Sequence, residues 1–441
     1  MTKILEQPRR LCALGAQQTV SAIEGGIPIL HAGPGCGYKL HLGLGFFNGF
    51  QGGGYSGGSA MPCTNTGEKE VVFGGEDRLR STIDGALKVM RGDLFVVLSG
   101  CTSELVGDDS ENIVQEYRAA GVPIAYAATA GFRGSNLLGH EIVVRAILDQ
   151  LVAPGADGEK VPGLVNLWAS VPSHDPFWSG NLLAAKELLE GIGLEVNVLF
   201  GPASCGLSAW KRVPSAQFNL VLSSWVGVET ARNLETRYGT PYLHYPVLPS
   251  GGIETSRFLR TVAEFAGIPS ERAEAYIQKQ EAVFHFHYER MADFFMEFRW
   301  DLPESFSVVA DSFYGAGIGR LLTGEFGLLP SAQVVTDEPP EEFHPAIRKL
   351  YENLAPEISA EVTFSGDGED IRKALRQAGS PAPLILGSTW DREIARELGA
   401  CHLSIAGPIT DRLTGSCSYF GYYGGLRLIE DIYSSILNSI Q

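Results

Sequence analysis

Short apolar runs punctuate the chain, most of them closing in Gly or Ser and leading into a stretch with helical spacing. The clearest are LFVVLSG (94–100), VPIAYAAT (122–129), LVNLWAS (164–170), VNVLFG (196–201), FNLVLSS (218–224), SVVADS (307–312), PLILGS (383–388) and HLSIAG (402–407). Between them lie amphipathic stretches such as SGNLLAAKELLEGIG (179–193) and IRKALRQAG (371–379). Apolar strands alternating with helices predict an α/β fold of Rossmann-like units, with parallel sheets covered on both faces. The strands are too many for one sheet. APGADGEKVPG (153–163) is rich in Gly and Pro, and a long helical pattern stops near FRWDLPESF (298–306). These breaks predict three α/β domains, 1–157, 158–300 and 301–441. Ligands of open parallel sheets collect beyond the carboxyl ends of the strands, which points to the loops after residues 30, 99, 130, 223 and 406.

Composition narrows the partners. With 34 Lys and Arg against 51 Asp and Glu, the formal net charge is −17. Phosphate contacts need an excess of cations, so neither nucleic acid nor an anionic membrane is expected as a main partner. Apolar residues make up 44% and charged residues 19% of the 441 positions, enough to bury several cores. The start, MTKILEQPRR, lacks the apolar run of a secretory signal. The long uncharged stretch from Leu40 to Gly67 is broken by nine glycines, which rules out a stable spanning helix. A cytoplasmic protein is expected.

Seven cysteines (12, 36, 63, 101, 205, 401 and 417) do not suggest a disulfide framework in a long acidic chain. Cys12 lies in LCALGA, Cys36 in ILHAGPGCGYK and Cys101 in VVLSGCTSELVGDD. Cys36 and Cys101 follow predicted strands, where a ligand can reach a shared crevice. The neighbouring Gly35, Gly37 and Gly100 allow close backbone approach, and their amides could donate to sulfide. Soft-metal or iron–sulfur ligation competes with the plainer reading of small buried hydrophobes. No CxxC pair is present, which argues against a zinc ribbon. Three thiolates leave an ordinary four-iron cluster one ligand short. Eleven glycines fall between Gly33 and Gly58, without the GxxxxGK[ST] of a phosphate loop; a flexible loop, a close-packed interface and a cluster cover all remain open. GEKEVVFGGEDRLR (67–80) reads as a short strand, a glycine turn and a helix opening on Glu76 and Asp77.

The ordered set CALGA, HAGPGCGYK, EKEVVFGGEDRLRSTIDGAL and SGCTSELVGDDSENIV, followed by FNLVLSS, RYGTPYLHYP and AGPITDR…GYYGGLRLIEDIYSSIL, resembles the nitrogenase component 1 family across most of the chain. The resemblance implies three α/β domains per subunit and a heterotetramer of two unlike subunits (α2β2). It also implies a P-cluster-type iron–sulfur cluster shared between them, with three cysteines from each. By motif, Cys12, Cys36 and Cys101 are those positions here, and the partner's thiolates would make up the shortfall. Family catalytic subunits carry a larger iron–sulfur cofactor on a middle-domain Cys and a last-domain His. This chain has Ser223 and Ser224 at the first place and no His at the second, so the resemblance implies a β-type subunit whose α-type partner holds that cofactor. A transient iron–sulfur ATPase would deliver electrons.

The GPGCGYK loop and the FFNGFQGGGYSGGSAMP insert resemble the branch that includes methylthio-alkane reductase, which releases methanethiol and a hydrocarbon. Reduction of N2, a scaffold for cofactor assembly and a metal-free α/β binding protein are the rivals. Among single residues, His31 reads as a satisfied core histidine, and Asp108 and Asp109 as helix caps. Phe132 reads equally as core or as cluster lining. Cys63, Cys205, Cys401 and Cys417 read as structural, and His285 and His287 as too far apart around a helix to share a metal.

Overall fold

The computed structural model describes residues 5–51, 61–152, 159–168, 171–298, 302–380 and 383–440. Within them twelve strands form three sheets, and every neighbouring pair runs parallel. The first is ordered β1-β2-β3, from β1 (Gly26–His31), β2 (Leu94–Ser99) and β3 (Ile124–Ala128). The second is ordered β5-β4-β6-β7, from β4 (Val161–Trp168), β5 (Glu195–Val198), β6 (Ala216–Val221) and β7 (Tyr242–His244). The third is ordered β10-β9-β8-β11-β12, from β8 (Ser305–Ala310), β9 (Leu329–Val335), β10 (Val362–Phe364), β11 (Leu384–Gly387) and β12 (Cys401–Ser404). The fold is α/β.

The first sheet shows why a continuous apolar run becomes a strand here. In LFVVLS every residue is buried because alternate side chains serve different cores. Phe95 and Val97 pack with Leu79 and Ile83 of α4 (Glu76–Val89) and with Ile113 of α6 (Ser110–Ala119). Leu94, Val96 and Leu98 face the opposite way, into the core that holds Val143 and Ile147 of α7 (Asn136–Leu151). Both faces are dry, as in other all-parallel sheets. β1 is an edge strand and tolerates Pro28, which has no N–H to donate. Its outer edge is partly covered by residues 62–64, where Leu30 N donates to Pro62 O at 2.8 Å and Thr64 N to Leu30 O at 2.9 Å.

One sequence expectation needs correction, and several elements had no pattern to announce them. Residues 68–73 are not a strand but the helix α3 (Glu68–Phe73), opened by a capping interaction in which Gly67 N donates to Glu70 Oε2 at 2.8 Å. Its apolar Val71, Val72 and Phe73 are exposed, so their clustering signals a surface and not a buried strand. The first half of the glycine-rich segment is also helical, α2 (Pro34–Phe46), opened by a proline whose missing N–H costs nothing at that position. Its later glycines, 52–58, lie outside the described residues. The strands β7, β9 and β10 have no clear apolar run to announce them, because β7 and β10 have three residues each and β9 mixes Pro, Ser and Gln into its run. Among the described residues no helix is long and apolar enough to cross a membrane.

Candidate functional site

β1, β2 and β3 end in register, with His31 paired to Ser99 and Ser99 to Ala128. Their following loops therefore emerge side by side. Cys36 sits in the first turn of α2, five residues beyond β1. Gly100 caps α5 (Cys101–Val106), placing Cys101 at its first position. Cys12 reaches the same end of the sheet by a different route. Residues 11–13 lie along the segment after β3, with Ala13 N donating to Gly134 O at 2.8 Å and Asn136 N to Leu11 O at 2.9 Å. All three cysteines are exposed.

Gly131, in the turn between β3 and α7, brings two of them together. Its N–H donates to Cys101 Sγ at 3.1 Å. A Cβ placed on Gly131 would stand 3.1 Å from Cys101 Sγ and 3.6 Å from Cys12 Sγ, so both sulfurs border one point. The turn is fastened by Glu104 of α5, whose carboxylate accepts Ser99 Oγ at 2.6 Å, Ala130 N at 3.0 Å and Arg133 Nε at 2.7 Å. Neither Gly131 nor Glu104 could be picked from the sequence, where AGFRG carries no chemical motif. Among the described residues no three His, Cys, Asp or Glu side chains close around one ion position. Exposed thiols with an amide aimed at one sulfur could serve as ligands to a soft metal or an iron–sulfur group.

The glycines differ in duty. Among the described residues nothing stands within 4 Å of where a Gly35 side chain would project, and Gly37 packs near Leu30 and Cys63. The Gly100 amide is not free for sulfide, because it donates to His31 O at 2.9 Å. A Cβ on Gly100 would fall 2.7 Å from Ala32 Cβ, so its small size serves the close packing of the two loops.

Behind the thiols lies a satisfied polar layer. His31 is fully buried, with Nδ1 3.1 Å from Thr64 Oγ1 and Nε2 2.9 Å from Asp108 Oδ2. Asp108 Oδ1 also accepts Gly75 N at 2.8 Å. Asp109 caps α6, accepting Asn112 N at 3.2 Å. The VFGG turn fits this arrangement. Gly74 has a φ of +88°, and a Cβ on Gly75 would sit 2.8 Å from both Asp108 Oδ2 and His31 Cε1. Burial lowers the His31 pKa and outweighs the opposing pull of Asp108. His31 therefore contributes stability that is complete above the free-imidazole value of 6.5 and is lost as the pH falls through the lower folded value. The melting temperature should fall between pH 7 and pH 5, less steeply for His31→Gln; equal slopes would remove His31 from the effect.

Large apolar side chains stand exposed around the thiols. Tyr38 is 69%, Phe73 81%, Leu105 77% and Phe132 60% exposed. Phe132 thus belongs to the surface and not to the core. Exposed apolar side chains of this size are candidates for a contact face.

The chain matches the family model described as nitrogenase component 1 type oxidoreductase over residues 12–437. It belongs to that family. A nitrogenase molybdenum–iron protein beta chain from Methanococcus maripaludis is 24% identical, with 96% of this chain and 92% of that one covered. A chain of a light-independent protochlorophyllide reductase from Synechococcus sp. is 25% identical over 78% of this chain and 67% of its own. The solved structure titled nitrogenase Cp1 at pH 6.5 superposes with a TM-score of 0.78 at 20% identity, covering all of this chain and 95% of that one. This member is thus one chain of an oxidoreductase, beta-chain-like in its relatives.

The other four cysteines differ from the three in their surroundings. Cys63, half-buried, donates to Ala32 O at 3.4 Å, and burial pushes its thiol pKa up. Cys417 is half-buried beside Arg412 and likewise raised by burial. Cys205 is exposed, and Cys401 lies on β12. The two serines after β6 serve the backbone, with Ser223 donating to Val226 O and Ser224 to Pro246 O. In the last segment, Arg412 of GPITDR binds Asp431 Oδ2 at 2.6 Å.

Proposed function

We propose that this chain is the β-type electron-relay subunit of a cytoplasmic, ATP-dependent nitrogenase-like reductase, paired with an α-type subunit in an α2β2 assembly. Cys12, Cys36 and Cys101 would hold this chain's half of a P-cluster-type iron–sulfur cluster, and the partner would supply the other thiolates. The observation that carries the reading is the meeting of Cys12 and Cys101 around the Gly131 amide at the carboxyl end of the first sheet. When bound, such a cluster supplies reversible electron storage at a potential set by its surroundings. The Gly131 N–H stabilises negative charge on sulfur. Glu104 fixes the turn that presents it, and the exposed Tyr38, Leu105 and Phe132 would exclude water once a partner covers them. The chain carries no P-loop motif, so ATP falls to a separate iron–sulfur ATPase that docks transiently. The larger iron–sulfur cofactor would belong to the α-type partner.

For the reaction we favour reductive C–S cleavage, R–S–CH3 + 2e− + 2H+ → RH + CH3SH, on the strength of the GPGCGYK loop and the glycine-rich insert. Reduction of N2 is the second reading, favoured by the near-complete alignment to a molybdenum–iron beta chain. The anaerobically purified complex, given its reductase, ATP and methylthioethane, should release methanethiol and ethane. Ammonia formed from N2 in their place would establish the second reading. Transfer of a cluster without turnover would mean a scaffold.

A further inference from the structure

Behind Cys12 a cavity of 230 Å³ lies where residues 8–11, α1 (Gln17–Ser21) and α2 meet the loops around Trp390 and Pro408. Most of its wall is apolar. Gln18 is different. It lines the cavity, it is 1% exposed, and among the described residues neither its amide nitrogen nor its amide oxygen has a hydrogen-bond partner. Arg9 and Arg10 line the same space, and the Nε of each is buried and has no partner among the described residues. Their charges are already matched, Arg9 by Asp391 at 2.7 Å and Arg10 by Glu338.

Asn136 and His174 on this wall are already hydrogen-bonded. Asn136 Oδ1 accepts Leu11 N at 3.1 Å, which turns its Nδ2 toward His174 Nδ1 at 3.2 Å. His174 Nε2 in turn faces Asp311 Oδ2 at 3.0 Å. What the cavity offers is one carboxamide with both ends free, two N–H donors without uncompensated charge, and aromatic surface from Phe47 and Trp390.

We propose that this cavity binds a small neutral molecule bearing a primary carboxamide on an apolar body. Its N–H would donate to the Gln18 carbonyl. Its carbonyl would accept from the Gln18 amide and from an arginine Nε–H, while the apolar part lies against Phe47 and Trp390. A carboxylate fits less well, since it would set an anion against the Gln18 oxygen and has no proton to give it. The proposal does not depend on the electron-relay reading, because none of these groups is a thiol.

Titration calorimetry on the purified, cluster-loaded complex tests it, with benzamide as the probe and benzoate and toluene as comparators. Benzamide should bind at least about tenfold more tightly than either comparator, and Gln18→Leu should remove that margin. Equal binding of toluene would make the cavity a plain apolar hole and overturn the assignment, as would tighter binding of benzoate or no heat from benzamide at all. Should Gln18→Leu fail to assemble, Gly43→Leu grows a side chain from the α2 wall beside Leu11. Loss of benzamide binding with iron content unchanged would then support the site, and retained binding would overturn it.

Discussion

Cys101→Ala should strip the assembled complex of its shared cluster. The anaerobic absorption and EPR signals of that cluster vanish, iron content falls, and electron delivery to the partner drops by more than about a hundredfold. That bound exceeds what loss of a group merely supporting a ligand costs, about 10- to 100-fold. Cys101 is placed to matter more. It opens α5, its thiol is exposed, and the Gly131 amide is aimed at its sulfur from 3.1 Å. Cys63→Ala is the matching control. Cys63 comes from the same end of the sheet, yet its thiol is half-buried and donates to the Ala32 carbonyl. Its removal should leave the spectrum intact. An unchanged spectrum in Cys101→Ala would take Cys101 out of the ligand set, and loss in Cys63→Ala would put Cys63 into it. Because the readout is the cluster and not turnover, the result is independent of which substrate the complex reduces.

The thiols were legible in the sequence because strand ends are legible. IPILH and LFVVLSG are buried on both faces and stop abruptly, so the cysteines just beyond them had to emerge at one end of a parallel sheet. Cys12 could be placed only through the resemblance, since its approach depends on residues 11–13 pairing with a segment more than 120 residues away. Long-range pairing of that kind leaves no local pattern. The same limit hid Gly131, which matters by position and not by type. VVF in α3 misled for the opposite reason. An apolar cluster signals burial, but burial by a partner reads the same as burial by the chain itself, and Phe73 is 81% exposed in this subunit. The cavity behind Cys12 was invisible for a third reason, since Gln17 and Gln18 look like ordinary polar residues at a helix start until both prove fully buried.

Gly139→Ala should destabilise the protein and loosen the cluster together. By helix propensity alone the change ought to help, since Ala is better than Gly in a helix interior by about 1 kcal/mol. Packing decides otherwise. A Cβ on Gly139 would lie 2.2 Å from the carbonyl oxygen of Ala13, 2.9 Å from its carbon and 3.0 Å from its Cα. These are backbone atoms, so no rotamer can relieve the contact. Either α7 moves or the turn Ala13–Ala16, which begins beside Cys12, moves with it. Overpacking of this kind costs about 1–3 kcal/mol, so the propensity gain is offset or exceeded. The thermal midpoint should drop by a few degrees, and iron bound per complex should fall because Cys12 is carried off its position over Gly131. Gly85→Ala in α4 isolates the cause. Among the described residues nothing stands within 4 Å of a Cβ there, so that variant should match or slightly exceed the parent in stability and keep its full iron. If Gly139→Ala behaves like Gly85→Ala in both measurements, α7 does not hold the Cys12 turn in place, and the convergence of Cys12 and Cys101 needs another support.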